Sequence, residues 1–223
     1  MKFAALLAAA LACGADAQAA LWGYVDGAGV AHLAAQPVDS RYQLVLGEGG
    51  ERRVPGKTDG AAAMLTWLEI APEVKALAPW LREAADANGI DPELLKAVIA
   101  VESGFNAGAV SPRGAIGLMQ ITARSAERYA SDAERALPAA QRLREPRCNI
   151  HTGARMLADL LRRLGRVDLA LAAWNAGEGA VQRAGGALPP IDETQAHVHL
   201  VLELYWGLLQ SSQARRATKL QLR

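Results

Sequence analysis

Cysteine is almost absent from this chain: Cys13 and Cys148 are the two in 223 residues. Cys13 lies in an N-terminal apolar run, so a chain that has shed that run keeps one cysteine and forms no internal disulfide. No paired C-x-x-C and no H-E-x-x-H occurs, and the histidines are His32, His151, His197 and His199. His197 and His199 stand two apart on an expected helix and point to different faces. No metal and no other cofactor is therefore expected. Aromatics make up 5% of the chain while alanine is abundant, a mix that favours closely packed helices over a β-sandwich. Net charge is +1, which implies no global field for nucleic acid. Locally, residues 113–166 hold eleven arginines against five acids. They read either as solvated helix faces or as a surface that attracts an acidic polymer. Beyond the N-terminus no segment approaches the roughly 20 apolar residues of a membrane helix.

Met1-Lys2-Phe3 followed by Ala4 to Ala12 has the form of a signal peptide. Ala15-Asp16-Ala17 and Ala17-Gln18-Ala19 are small-x-small cleavage candidates, so residues 1–19 are expected to be a removed leader. The alternative is lipid attachment at Cys13. Its box, Ala10-Leu11-Ala12-Cys13, is a poor one because the leucine is one position late.

Residues 20–46 are expected to form a small β-rich module. Trp22-Gly23-Tyr24-Val25 and Val30-Ala31-His32-Leu33 flank the turn Asp26-Gly27-Ala28-Gly29, and Tyr42–Leu46 could add a third strand. The string Y-V-D-x-x-G-V-x-H resembles a small domain of unknown function found behind signal peptides in bacterial envelope proteins. A strand-rich decoration packed on the main domain is the favoured reading. Residues 47–63, rich in glycine and charge, read as a linker. Residues 64–210 are then mainly helical. Helices are expected over 73–88 and 91–103, from a cap at Asn149 to Gly165, from a cap at Asp168 to about Ala176, and over 192–210. Residues 104–121 are too rich in Gly, Ser and Pro for a helix and read as a loop with short extended pieces. The tail from Ser211 is expected to be disordered and basic.

The helix over 91–103 holds the most informative side chain. Asp91 can cap it and Pro92 suits its first turn. Leu95, Val98 and Ile99 stand seven, four and three residues before Glu102, which puts that carboxylate on the apolar stripe. Desolvation there is expected to raise its pKa and keep it a proton donor near neutral pH. A core-edge glutamate paired with an arginine would occupy the same place.

After Glu102 come Ser103-Gly104-Phe105, then Ser111-Pro112-Arg113-Gly114-Ala115-Ile116-Gly117-Leu118-Met119-Gln120. Downstream stand Ala173-Trp174-Asn175-Ala176-Gly177 and Glu193-Thr194-Gln195-Ala196-His197-Val198. This ordered set resembles the lytic transglycosylases of the soluble type, with a goose-type lysozyme-like domain. Their pattern is E-S-G-F, S-x-x-G-A-x-G-L-M-Q, A-Y-N-A-G and E-T-x-x-Y-V, and the likeness covers about residues 73–210.

The resemblance implies a mainly α, lysozyme-like fold and a periplasmic enzyme acting on peptidoglycan glycan strands, with a secretion or cell-wall machine as a further candidate partner. It implies Glu102 as the sole acid/base for cleaving the MurNAc-GlcNAc β-1,4 bond. Glycoside cleavage normally uses two carboxylates, and the nearest downstream acid is Glu127, beyond the glycine loop. One carboxyl suffices if the muramic C6 hydroxyl attacks its own anomeric carbon and gives a 1,6-anhydro end. Supporting roles fall to Ser103 and Gln120 as hydrogen-bonding groups, Met119 as an apolar surface for a sugar face, Trp174 as an aromatic platform, and Asn175 facing the cleft. Ser103 could equally cap its helix, and Met119 could equally be core. Trp174 and His197 depart from the family's two tyrosines. His197 is expected within reach of Glu102, where protonated imidazole would weaken the acid. A lysozyme-like hydrolase, or a murein-binding assembly module with a weakened site, are the rival readings.

Overall fold

The computed structural model describes residues 20–46 and 61–221. The expected leader, Cys13 and residues 47–60 lie outside the described residues. Three strands come first: β1 (Leu21–Val25), β2 (Ala31–Ala34) and β3 (Gln43–Leu46). They form an antiparallel sheet in the order β2-β1-β3, with Tyr24 opposite His32 and Trp22 opposite Leu44. Asp26 shapes the first turn, its Oδ1 accepting from the amides of Ala28 and Val30 at 3.0 Å each. Gly29 supplies the left-handed residue there (φ 90°). The hydrogen bond from His32, helped by those amides, holds the Asp26 carboxyl below its usual range.

The sheet shares its core with the rest of the protein. Leu21, Ala31 and Val45 are buried in the same apolar cluster as the helices. The buried Tyr205 hydroxyl donates to the Ala31 carbonyl at 3.3 Å, and Arg166 donates to the Gln43 side chain at 3.2 Å.

Helices build the remainder: α1 (Ala61–Ile70), α2 (Pro72–Asn88), α3 (Pro92–Ser103), α4 (Ala123–Tyr129), α5 (Ala139–Arg142), α6 (Pro146–Leu164), α7 (Val167–Ala176), α8 (Glu178–Arg183) and α9 (Asp192–Gln221). A two-stranded ribbon, β4 (Ala115–Ile116) with β5 (Ile121–Thr122), lies between α3 and α4. α3 is the central element, packed against α2 and α9. Leu94, Leu95, Ala97, Val98 and Ile99 on it are all buried. Burying each such leucine or isoleucine is worth about 1.5–3 kcal/mol. Asp91 caps it as its sequence suggests, accepting from the Glu93 amide at 2.8 Å.

Several expectations need correction. Residues 61–63 open α1 and do not end a linker. α6 is capped by Glu145, whose carboxylate accepts from the Arg147 and Cys148 amides. Asn149 is therefore an interior, fully buried residue and no cap. α7 begins at Val167, and Asp168 in its first turn is buried against Arg166 at 2.6 Å. The last helix continues to Gln221 where a disordered tail was expected. Residues 211–221 contain no glycine or proline, and their Gln, Ala, Arg, Lys and Leu are good helix formers.

Candidate active site

Glu102 sits in the last turn of α3. Gly104, in the left-handed conformation (φ 56°), ends that helix by donating its amide to the Ala100 carbonyl. Phe105 follows with φ 63°, unusual for a non-glycine residue, and its buried ring meets Trp67 edge-on at 5.7 Å. The Glu102 side chain is 14% exposed and lines an open cleft of about 390 Å³.

Among the described residues no arginine pairs with it. Its Oε1 accepts from Trp174 Nε1 at 3.0 Å and meets His197 Nε2 at 2.8 Å. The tryptophan is an obligate donor. His197 is buried, and its Nδ1 has no partner among the described residues. A proton on Nδ1 would be a buried donor without an acceptor, which favours the Nε2–H tautomer. Two N–H groups thus converge on one oxygen of Glu102 and leave Oε2 for chemistry.

The glycine-rich segment forms one wall. Gln120 lines the cleft with φ 47°, and its Nε2 donates to the Gly117 carbonyl at 2.9 Å. Its side-chain donor is thus engaged by the loop itself, leaving Oε1 to accept. Asn149 holds this loop from beneath. It accepts from the Met119 amide at 2.9 Å and donates to the carbonyls of Ile116 at 2.8 Å and Leu143 at 2.9 Å. Gly117 is required for that clasp, because a Cβ there would stand 2.4 Å from Asn149 Nδ2.

Two residues expected at the substrate face elsewhere. Met119 is fully buried, so it cannot present a surface to sugar. Its thioether fills the notch over Gly153 of α6, where a Cβ would lie 2.2 Å from the sulfur. Ser103 does not line the cleft; its hydroxyl donates to the Leu118 carbonyl at 2.7 Å and ties α3 to the loop.

The opposite wall comes from α7 and α9. Trp174 and Asn175 line the cleft at the end of α7. The buried Thr194 donates to Asn175 Oδ1 at 2.8 Å, fixing the amide and leaving Nδ2 as a donor. The cleft also holds residues that sequence reasoning missed: Ser111, Arg113, Thr122, Ser125, Met156 and Glu193. Glu193 is a second carboxylate, exposed in the first turn of α9. Its place in the E-T motif was the available signal, but nothing in linear spacing ties it to Glu102. Glu127 instead pairs with buried Arg142 at 3.0 Å and does not line the cleft. Among the described residues no group of three or more His, Cys, Asp or Glu could hold a metal ion.

The protein is thus a mainly helical, lysozyme-like domain with an open cleft, floored by one largely buried glutamate held at a single oxygen. Residues 79–189 match the Transglycosylase SLT domain, so the chain carries that domain and is homologous to lytic murein transglycosylases. One relative is the endo-type membrane-bound lytic murein transglycosylase A of Salmonella typhimurium, 41% identical over 92 residues, which are 39% of this chain and 45% of the relative. The chain thus spans under half the length of that curated relative. Among solved structures, an inactive glutamate-to-glutamine variant of lytic transglycosylase Slt from Pseudomonas aeruginosa aligns with TM-score 0.53 and 29% identity, over 62% of this chain and 24% of that one. The 70 kDa soluble lytic transglycosylase of Escherichia coli aligns with TM-score 0.52 and 22% identity, over 69% and 31% of the two chains, and shares the fold.

Proposed function

We propose that the protein is a murein lytic transglycosylase that cleaves the MurNAc-GlcNAc β-1,4 bond without water, with Glu102 as its sole acid/base. The observation that carries this reading is the clamp on one oxygen. Trp174 and His197 engage Oε1 of Glu102, and the side chain lines the cleft. Oε2 carries the working proton. It passes that proton to the glycosidic oxygen as the bond to the muramic anomeric carbon breaks. The carboxylate then takes the proton of the muramic C6 hydroxyl as O6 bonds to that carbon. The product is a 1,6-anhydro ring and the acid is restored. Ordered acid–base help of this kind is worth about 10²–10⁴ in rate. Asn175 Nδ2 and Gln120 Oε1 supply one donor and one acceptor for the N-acetyl groups.

Kinship with lytic murein transglycosylases supports the substrate class. The inactive relative carries a single glutamate-to-glutamine change, in keeping with one indispensable carboxyl. The leader expected at residues 1–19 would deliver the enzyme to the periplasm. No described helix is long and apolar enough to cross a membrane.

Glu193 favours a second reading, a lysozyme-like hydrolase. A second carboxylate on the cleft could activate water in an inverting cleavage. Paired variants separate the two. Glu102→Gln is expected to abolish murein solubilisation, by at least about 10², with an unchanged circular dichroism spectrum. Glu193→Gln is expected to keep most activity. Loss of equal size in both variants would move the mechanism to two carboxylates.

A further inference from the structure

The arginine-rich stretch is mostly tied up in ion pairs: Arg142 on Glu127, Arg155 on Glu134, Arg163 on Asp159 and Glu178, Arg166 on Asp168. Arg113 is different. It is exposed and, among the described residues, it has no hydrogen-bond or ion-pair partner and is the one cationic side chain on the cleft lining. Its backbone is fixed. The Gly114 amide donates to the Ser111 carbonyl at 2.9 Å and the Ala115 amide to Ser111 Oγ at 3.0 Å. Pro112 sets the second position of the turn, and Gly114 (φ 77°) takes its left-handed corner. A stiff turn therefore projects a free guanidinium over the cleft, while the acids of the cleft, Glu102 and Glu193, come from helices α3 and α9.

We propose that Arg113 is a specificity residue that binds a carboxylate of the glycan strand. The inference rests on the proposed murein substrate and names the part of it that this lip selects. A guanidinium is a planar, permanently charged fork suited to a carboxylate. N-acetylglucosamine units carry no carboxylate. Each muramic unit carries a lactyl carboxyl, free in strands stripped of peptide and converted to an amide in strands that bear stem peptides, whose own carboxylates lie farther out. Arg113 thereby discriminates murein from neutral chitin-like glycans.

The test is equilibrium binding to Glu102→Gln protein, with and without Arg113→Gln. The probes are chitotetraose, the murein tetrasaccharide with free lactyl groups, and the same tetrasaccharide with stem peptides. Removing an exposed charge pair should weaken binding about two- to fivefold. That loss is expected for at least one carboxylate-bearing ligand, with a shallower salt dependence, and not for chitotetraose. The ligand that loses affinity identifies the carboxylate. Arg113→Lys should retain part of the effect, and Arg144→Gln, an exposed arginine off the cleft, should have none. Equal weakening of all three ligands, or of none, overturns the inference. Failure of every probe to bind Glu102→Gln overturns it together with the murein reading. A non-anhydro digestion product would sink the transglycosylase reading and leave a selective Arg113 effect standing.

Discussion

Two side chains decide what Glu102 can do. The Trp174 indole and the His197 imidazole converge on Oε1 from different helices, α7 and α9. Each directs the carboxyl without needing charge. Trp174→Phe keeps an aromatic wall and deletes the N–H, so murein solubilisation should fall about tenfold, the scale of one lost hydrogen bond near 1.4 kcal/mol. His197→Leu should cost at least as much, whereas His197→Tyr, whose hydroxyl can donate to the same oxygen, should remain within a few-fold of the parent. Initial rates on purified sacculi measure all three. Equal rates for Leu and Tyr at position 197 would show that the contact does not orient the acid. Sequence located Glu102 because the apolar residues three, four and seven before it share its helix face. It did not derive the His197 contact, since no local pattern links residues so far apart; that expectation came through family likeness. Sequence left Met119 open between the sugar face and the core because neighbours in a motif can point opposite ways: Gln120 faces the cleft while Met119 fills the notch at Gly153.

The glycine loop between α3 and α4 is the element that shapes the cleft, and a buried amide holds it. Asn149 satisfies one amide and two carbonyls that have no water to turn to. Asn149→Ala would orphan all three. At about 1–3 kcal/mol per unsatisfied buried group, with partial relaxation, unfolding free energy should drop by about 3 kcal/mol. Urea denaturation measures it; a drop under about 0.5 kcal/mol, the level of an ordinary surface change, would mean that the clasp carries no stability. Asn149 looked like a cap because cap-type residues gather near helix starts. The true cap, Glu145, is one turn earlier and is not among the preferred cap residues. α3 was readable in full because Asp91, Pro92 and the apolar run agree. α1 was not, because its residues are apolar on nearly every side and give no stripe to set a period.

Across the whole molecule, the region from α4 to α6 is stitched by ion pairs, and one of them gives the fold an acid limit. Burial opposes ionisation of Glu134, but hydrogen bonds from Arg155 and from Ser131 outweigh it and bring its pKa from 4.5 down to about 2. A carboxyl depressed in the folded state stabilises the fold above its unfolded value, and that stability is lost as pH falls through the folded one. Relative to Glu134→Gln, the parent should be more stable by about 1–2 kcal/mol at pH 6, after allowance for solvent screening. The gap should close as pH falls from 4.5 towards 2. A gap independent of pH would show that the pair contributes through packing alone.

The source of the oxygen at the new chain end separates a transglycosylase from a hydrolase. Purified sacculi digested in ¹⁸O-labelled water and analysed by mass spectrometry test this directly. A transglycosylase with Glu102 as its only acid/base releases 1,6-anhydromuramic ends, lighter than reducing ends by one water and free of label. Reducing ends that carry the label would contradict the account and make the protein a hydrolase, with Glu193 the first residue to examine as its second carboxylate.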